Sequence, residues 1–355
     1  MLFQAADLHL TPTIWKDMPS MQGDSYAALD QIVAVCTAEG SKATLLLSGD
    51  IFDKSRPDSE SVERFRMAMD RLSVNGVQVY AIQGQHEKAD PPWATALGSV
   101  TYVGDGTPFE VDGLRIVGLD YTNSPDLQKT LKGLKKVDLL MIHQMAKQAI
   151  DIEGAWNFDI DWVNKSVKLI LAGDYHGFLN TGRLYYPGAT HFRKIDEIDD
   201  KFFLRVETAP KLKVIPQRLW TRPVLQVRAI NDDQLDESIK LIMDANLKEA
   251  DRPTEIELPL VVARYSPNVK DVVPRIEEAC LKRSFLLRLK PLVGDAQDDT
   301  HTELPQAAAT LHGCLDAIVD RGTDEELHSF VSALLDAEDS RLVLEETKQR
   351  LGIGG

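Results

Sequence analysis

An α/β layered fold is predicted by three features of the sequence. Apolar runs of strand length alternate with stretches of helical periodicity, and several of these runs stop at a glycine followed by acid, amide or imidazole side chains. At 355 residues the chain is also too long for one ordinary core, which suggests two or three domains.

Taken in order, strands are expected at Leu2–Ala6, Thr44–Ser48, Val77–Gln83, Leu114–Leu119, Val137–His143 and Val167–Ala172. Between the first two, Leu29, Ile32, Val33 and Cys36 fall on one face of a helix, and a second helix is expected over Ser59–Leu72. Shorter strands at Leu184–Tyr186 and Phe202–Glu207 close a first domain, residues 1–209. The segment from Pro210 to Pro223, with a local basic excess, reads as a linker. A small α+β domain over 210–295 follows, with strand 224–230, helix 234–249, strand 254–262, helix 269–282 and strand 284–290. From Leu304 the pattern is helical: Leu311, Leu315, Ile318 and Val319, then Leu327, Phe330, Val331, Leu334 and Leu335, with a capping box at Thr323 and Glu326. So apolar a helical segment, 296–355, needs something to pack on.

Composition narrows the function classes. No apolar run approaches the roughly 20 residues of a membrane span. The start, Met1 to Asp7, lacks the basic flank of a signal peptide. Cys36, Cys280 and Cys314 are far apart and odd in number, as expected of buried thiols in a reducing cytoplasm. A formal charge of −15 argues against holding nucleic acid by bulk electrostatics, so a DNA substrate would require bound divalent metal, a local basic patch or a second chain.

Chemistry is expected at five strand ends: Asp7 and His9; Asp50 and Asp53; Gln85, His86 and Glu87; His143; and Asp174 and His176. In Asp-x-His on an extended segment both side chains point the same way and reach one ion. Glycine before Asp50, Gln85 and Asp174 is expected to let the chain turn sharply. Oxygen and imidazole donors without thiolates suit ions such as Mn²⁺. Seven candidate ligands, Asp7, His9, Asp50, Gln85, His143, Asp174 and His176, exceed the needs of one ion, so two ions with Asp50 as the bridge fit better.

The ordered set Asp-x-His, Gly-Asp, Gly-x-His, His and Gly-x-x-His resembles the calcineurin-like metallophosphoesterases over about the first 200 residues. Gly49-Asp-Ile-Phe-Asp-Lys-Ser-Arg-Pro57, and Tyr186-Pro-Gly-Ala-Thr with Asp196-Glu197, resemble the DNA-repair nuclease branch that includes SbcD. The resemblance implies a β-sandwich flanked by helices, a small capping domain, and C-terminal helices that bind an SbcC-type, SMC-like ATPase. It also implies homodimers and 3′ to 5′ exonuclease or endonuclease action at DNA ends in repair or recombination.

Carried over by position, the pattern puts Asp7, His9, Asp50 and His176 on one ion and Asp50, Gln85, His143 and Asp174 on the other. His86 takes the place of the histidine that orients or protonates the scissile phosphodiester. Gln85 and Asp174 stand where the family has asparagine and histidine, which favours harder ions, Mn²⁺ or alternatively Mg²⁺. The expected alternatives are another metallophosphoesterase acting on small phosphoesters or phosphoproteins, and a catalytically weakened subunit that binds DNA ends or docks an ATPase.

For substrate contact the candidates are Arg56, His191, Lys211 and Lys213, with His191 also a substitute metal ligand. Arg218, Arg222, Lys282, Arg283, Arg288 and Lys290 are further cations that would track a DNA backbone. Asp53 and Glu87 read as turn residues, and His301, His312 and His328 as surface or packing residues.

Overall fold

The structure is a computed structural model that describes residues 1–12, 23–96, 98–150, 152–194, 197, 199–247 and 252–292. The elements in chain order are β1 (Leu2–Ala5), α1 (Asp24–Glu39), β2 (Thr44–Ser48), α2 (Ser59–Val74), β3 (Gln78–Ile82), α3 (Trp93–Ala96), β4 (Thr101–Tyr102), β5 (Phe109–Val111) and β6 (Leu114–Leu119). There follow α4 (Leu127–Gly133), β7 (Leu139–His143), β8 (Leu169–Gly173), β9 (Leu179–Asn180), β10 (Leu184–Tyr186), β11 (Lys201–Glu207) and β12 (Lys213–Leu219). The small unit contributes β13 (Val224–Ala229), α5 (Asp232–Asp244), β14 (Leu260–Tyr265), α6 (Val272–Arg283) and β15 (Leu286–Pro291). The mixed α/β class is as the sequence predicts.

Two six-stranded sheets carry the fold, in the orders β12-β11-β1-β2-β3-β4 and β5-β6-β7-β8-β10-β9. Strand alternation explains why their central strands are apolar throughout. Leu2, Leu46, Ile82 and Leu204 of the first sheet meet Ile116, Leu139, Met141, Leu169 and Leu171 of the second in one core. Phe3, Ala5, Leu45, Leu47 and Val79 point the other way, onto Leu29, Ile32, Val33 and Cys36 of α1 and Phe65, Met69 and Leu72 of α2. Strands buried on both faces have no polar alternation to show. α2 starts at Asp58, whose carboxylate accepts from Ser61 N at 2.9 Å.

Both sheets are parallel at their centres, β1-β2-β3 in one and β6-β7-β8 in the other, so their chemistry-bearing C-terminal ends collect along single edges. Cross-sheet bonds register the two edges. Gln4 Nε2 donates to Ala172 O at 3.3 Å, and Ser48 Oγ to Leu171 O at 3.4 Å.

The segment read as a linker is a strand instead. β12 pairs antiparallel with β11 along its whole length, so the first sheet extends past residue 209 to Leu219. Its proline, Pro216, is tolerated because β12 is the edge of the sheet.

Where α+β was expected, the small unit is a parallel sheet, β13-β14-β15, joined by α5 and α6 in βαβαβ order. Single helices between strands return the chain in the same direction, which makes the strands parallel. Leu235 and Ile242 of α5 and Ile276, Ala279 and Cys280 of α6 pack on Val227, Ala229, Val261 and Ala263. The strand expected over 254–262 begins only at Leu260, because 254–256 form a 3-10 turn before Pro259. Residues 145–160 form a loop closed by Lys147 N to Phe158 O at 2.8 Å and Gln148 Nε2 to Asp159 Oδ1 at 2.9 Å. The helices expected beyond Leu304, and with them the 296–355 segment, lie outside the described residues.

Arg222 is not a surface cation. It is 1% exposed and grips Asp24 of α1, with Nη2 to Oδ1 at 2.6 Å and Nε to Oδ2 at 3.1 Å, while Nη1 donates to Leu258 O at 2.8 Å. Either partner alone would leave a buried, uncompensated charge. Asp24→Ala or Arg222→Ala should therefore cost about 3–5 kcal/mol in urea unfolding, and the charge-free double variant Asp24→Leu/Arg222→Met distinctly less.

Candidate metal centre

Eight side chains from both sheet edges gather at one site. Asp7 and His9 follow β1, Asp50 follows β2, and Gln85 and His86 follow β3; His143 ends β7, and Asp174 and His176 follow β8. Three groups have donor atoms all within 4.8 Å of one another: Asp7, His9 and His176; His9, Asp50 and His86; and Asp7, Asp50 and His143. Asp7 Oδ1 stands 3.8, 3.9 and 4.0 Å from Nε2 of His9, His143 and His176. Asp50 Oδ2 stands 3.5 Å from His9 Nε2 and 3.4 Å from His143 Nε2.

The backbone reaches this arrangement by a different route from the one expected. Asp7 and His9 are not extended: φ is +53° and +40°, and Asp50 and Asp174 also take positive values, +51° and +97°. Left-handed backbone at four non-glycine residues is strained and is held by its surroundings. His9 N donates to Asp50 O at 2.9 Å, and Asp174 N donates to both carboxylate oxygens of Asp7, at 3.1 and 3.2 Å. Gly49 does turn, at φ +86°, but Gly84 serves close approach, since a Cβ there would fall 2.0 Å from Asp50 Oδ1.

The donor set fits divalent cations. His143 Nε2, Asp50 Oδ2 and Gln85 Oε1 are buried and make no hydrogen bond. His143 Nδ1 donates to Ser48 O at 2.6 Å, which fixes the tautomer and leaves Nε2 for the centre. Donors on a tetrahedral ion stand roughly 3.4 Å apart, close to the separations around Asp50 Oδ2. Asp174 stands outside the three close groups. Its Oδ1 accepts from Gln85 Nε2 at 2.8 Å, so the two residues that depart from the family pattern are bonded to each other.

Burial dominates the electrostatics. It raises Asp7 to about 7, with the neighbouring Asp50 and Asp174 adding and His143 and His176 opposing. It also raises Asp174. Burial would raise Asp50 too, but His143 outweighs it and the carboxyl lies low. His143 in turn is held well above the usual imidazole value, because Asp50, Asp7 and Asp174 overcome the cost of burying its charge. His9 is pushed far down by burial and by Arg193.

The surrounding residues separate into supports and bystanders. Glu87 is more than a turn residue: its carboxylate accepts from Phe52 N at 2.9 Å and Gly84 N at 3.3 Å, bracing the β2 and β3 loops. Burial and Asp50 raise it to about 8. His86 is at the mouth, 40% exposed, with Nδ1 3.2 Å from Asp53 O. Arg56 is exposed on the bend three residues beyond Asp53.

His191 is buried beside Thr190 and stands outside the close groups. Burial lowers it to about 3, and it lines a small cavity with Asp24 and Arg222. Lys211 and Lys213 are exposed at the opposite end of the sheet, since Lys213 pairs with Glu207 and Val206 with Leu2, at the start of β1. Of the other cations, Arg218 pairs with Asp200 at 2.9 Å and Lys282 with Glu278 at 2.7 Å.

Two features went unread in the sequence. Arg193 Nη1 donates to His9 Nε2 at 2.9 Å, with Nη2 on Asp53. Glu197 Oε1 lies 3.5 Å from His176 Nδ1, while Lys201 Nζ holds Oε2 at 3.6 Å. Only Glu197 left a trace, as part of the Asp-Glu pair after the site segment.

A family model described as Calcineurin-like phosphoesterase matches residues 2–205. The chain belongs to that family. Calcineurin-like phosphoesterases use a dinuclear metal centre, and the candidate ligands here are of the right kind for one. The DNA double-strand break repair protein Mre11 of Sulfolobus acidocaldarius is 20% identical over 383 aligned positions, spanning 99% of each chain. The protein of the same name from Sulfurisphaera tokodaii is 22% identical over 191 positions, 49% of this chain and 48% of its own. Among the described residues no helix is long and apolar enough to cross a membrane.

Protonation of the cluster links metal, pH and stability. Asp7 and Glu87 in the folded protein lie at about 7 and 8, above the 3.8 and 4.5 of unmodified groups. Their contribution is thus fully present in acid and is lost as pH rises through those values. The melting temperature of chelator-treated protein should fall by a few degrees between about pH 4 and about pH 8 and level off above, and Mn²⁺ affinity should rise up to about pH 8 as bound protons leave. Thermal scans and calorimetry in buffers of different ionisation enthalpy check both; a flat profile would contradict the assignment.

Proposed function

We propose that this chain is a two-metal phosphodiesterase that hydrolyses DNA at ends, 3′ to 5′ or endonucleolytically, with Mn²⁺ as the preferred ion and Mg²⁺ second. Its setting would be DNA repair or recombination in a reducing cytoplasm, alongside an SbcC-type ATPase docked through the C-terminal segment, and as a homodimer. The observation that carries the reading is the convergence of Asp7, His9, Asp50, His143 and His176, from four strand ends, around Asp50 Oδ2 and His143 Nε2, which are buried and make no hydrogen bond. The DNA-repair names of the two relatives support the substrate class.

When bound, such ions acidify a water for in-line attack on phosphorus and offset the charge that builds on the phosphate oxygens. Asp50 would contribute to holding both ions, since its Oδ2 faces both His9 and His143. Asp7 and His176 complete the first position, with Glu197 holding the His176 ring. His86 stands where it meets a phosphate from solvent. The contact of its Nδ1 with the Asp53 carbonyl puts a proton on that nitrogen, so a protonated ring would donate through Nε2 to the leaving oxygen or a phosphate oxygen.

A second reading draws on one observation. Because Asp174 is engaged by Gln85 and stands outside the close donor groups, the second position would be weak, leaving a one-ion subunit that binds DNA ends or docks the ATPase.

Two measurements separate these readings. Calorimetric titration should give two Mn²⁺ per chain, and a stoichiometry of one at high Mn²⁺ would favour the weakened centre. End-labelled duplex should be digested in Mn²⁺, with Asp50→Asn and His86→Ala slower by roughly two to four orders of magnitude. Turnover of p-nitrophenyl esters without attack on duplex would move the substrate to small phosphoesters.

A further inference from the structure

The guanidinium of Arg193 reaches into the centre and takes a position that a metal ligand needs. Nη1 donates to His9 Nε2 at 2.9 Å, Nη2 donates to Asp53 Oδ1, and the backbone N–H donates to Glu197 Oε2 at 3.0 Å. The side chain is only 17% exposed. A guanidinium has donors only and keeps its proton in a protein, so His9 Nε2 must be the acceptor. With Nε2 accepting, a neutral ring carries its proton on Nδ1, which is buried without a hydrogen bond 3.4 Å from Asp53 Oδ1. The Arg193 contact thus fixes His9 in the tautomer whose Nε2 lone pair stands 3.5 and 3.8 Å from Asp50 and Asp7. An ion bound by His9 would use that same lone pair. One lone pair cannot serve a guanidinium and a cation at once, and the fixed positive charge also repels the ion.

We propose that Arg193 is a built-in competitor for the first divalent ion, which binds only when the guanidinium releases His9. The inference rests on the reading of Asp7, His9, Asp50 and His176 as ligands. Once released, the guanidinium stays tied to Asp53, whose carbonyl also touches His86, and so becomes a cation at the mouth where a phosphate enters. Ion loading and presentation of this cation to the substrate are then one event.

The test is Mn²⁺ binding to the full chain, read by calorimetry and independent of turnover. Arg193→Met should bind its first Mn²⁺ roughly tenfold more tightly than wild type, and the gain should vanish in a His9→Asn background. Unchanged or weaker binding by a folded Arg193→Met protein would overturn the proposal, as would an equal gain in the His9→Asn background, which would reduce Arg193 to a general charge. Absence of Mn²⁺ binding in wild type and variant alike would instead remove the metal-centre reading itself. Crystals of wild type soaked in Mn²⁺ give a check that needs no variant: His9 Nε2 should face the ion with the guanidinium moved off it, and a guanidinium still on His9 beside bound ions would overturn the proposal.

Discussion

The His143 imidazole, wedged between the ends of the two sheets, is the contact on which the rest of the centre depends. It belongs to β7 of the second sheet, yet its Nδ1–H donates to Ser48 O of β2 in the first, at 2.6 Å. Its Nε2 then stands 3.4 Å from Asp50, the next carboxylate along that chain. The backbone gives way to it on both sides: a Cβ at Gly49 would fall 2.3 Å from its Nδ1, and one at Gly173 2.6 Å. A bulkier residue at either glycine would push the sheets apart at the edge where their ligands must meet. Sandwich packing and site geometry are thus the same constraint.

Three carboxylates in so dry a place cannot all be ionised without compensation, and the cluster shows how the load is shared. Burial alone would raise Asp50 and lower His143, but their mutual attraction holds Asp50 low and His143 high, while burial pushes Asp7 and Asp174 up. Protons and the Arg193 guanidinium would do here what divalent cations do in a loaded centre. The same logic answers the objection raised by a chain of charge −15. Repulsion of a phosphate group is a local matter, and at this edge the charge of bound ions, with Arg193 beside them, would reverse the sign that bulk composition suggests.

Much of this was legible from residues alone, for identifiable reasons. The central strands are buried on both faces and so read as unbroken apolar runs, and every one of the seven candidate ligands sits just beyond or at the end of such a run. What the pattern could not show was backbone conformation. Asp7 and His9 converge through left-handed φ values rather than strand alternation, and Gly84 matters for proximity rather than turning.

Short elements also escaped. β4 and β9 have two residues each, and β12 was hidden by prolines and lysines that an edge strand accommodates. The β5–β6 hairpin turns at Asp112-Gly113, both at positive φ, a signal present in the sequence and not used. Arg193 had no signal at all, because its contact with His9 spans 184 positions.

The two departures from the family pattern are best understood together. Taken singly, glutamine for asparagine adds a methylene and carries the amide past the place where its oxygen would bind, while aspartate for histidine shortens the reach and replaces a neutral nitrogen with an anionic oxygen. In the folded chain the longer residue meets the shorter one. Gln85 Nε2 donates to Asp174 Oδ1, and this orients the amide so that its oxygen, buried and without a hydrogen bond, turns away from the carboxylate. Asp174 in turn is anchored through its backbone N–H to Asp7. The bond between the two residues orients the amide and leaves its oxygen unpaired, as would suit a metal ligand.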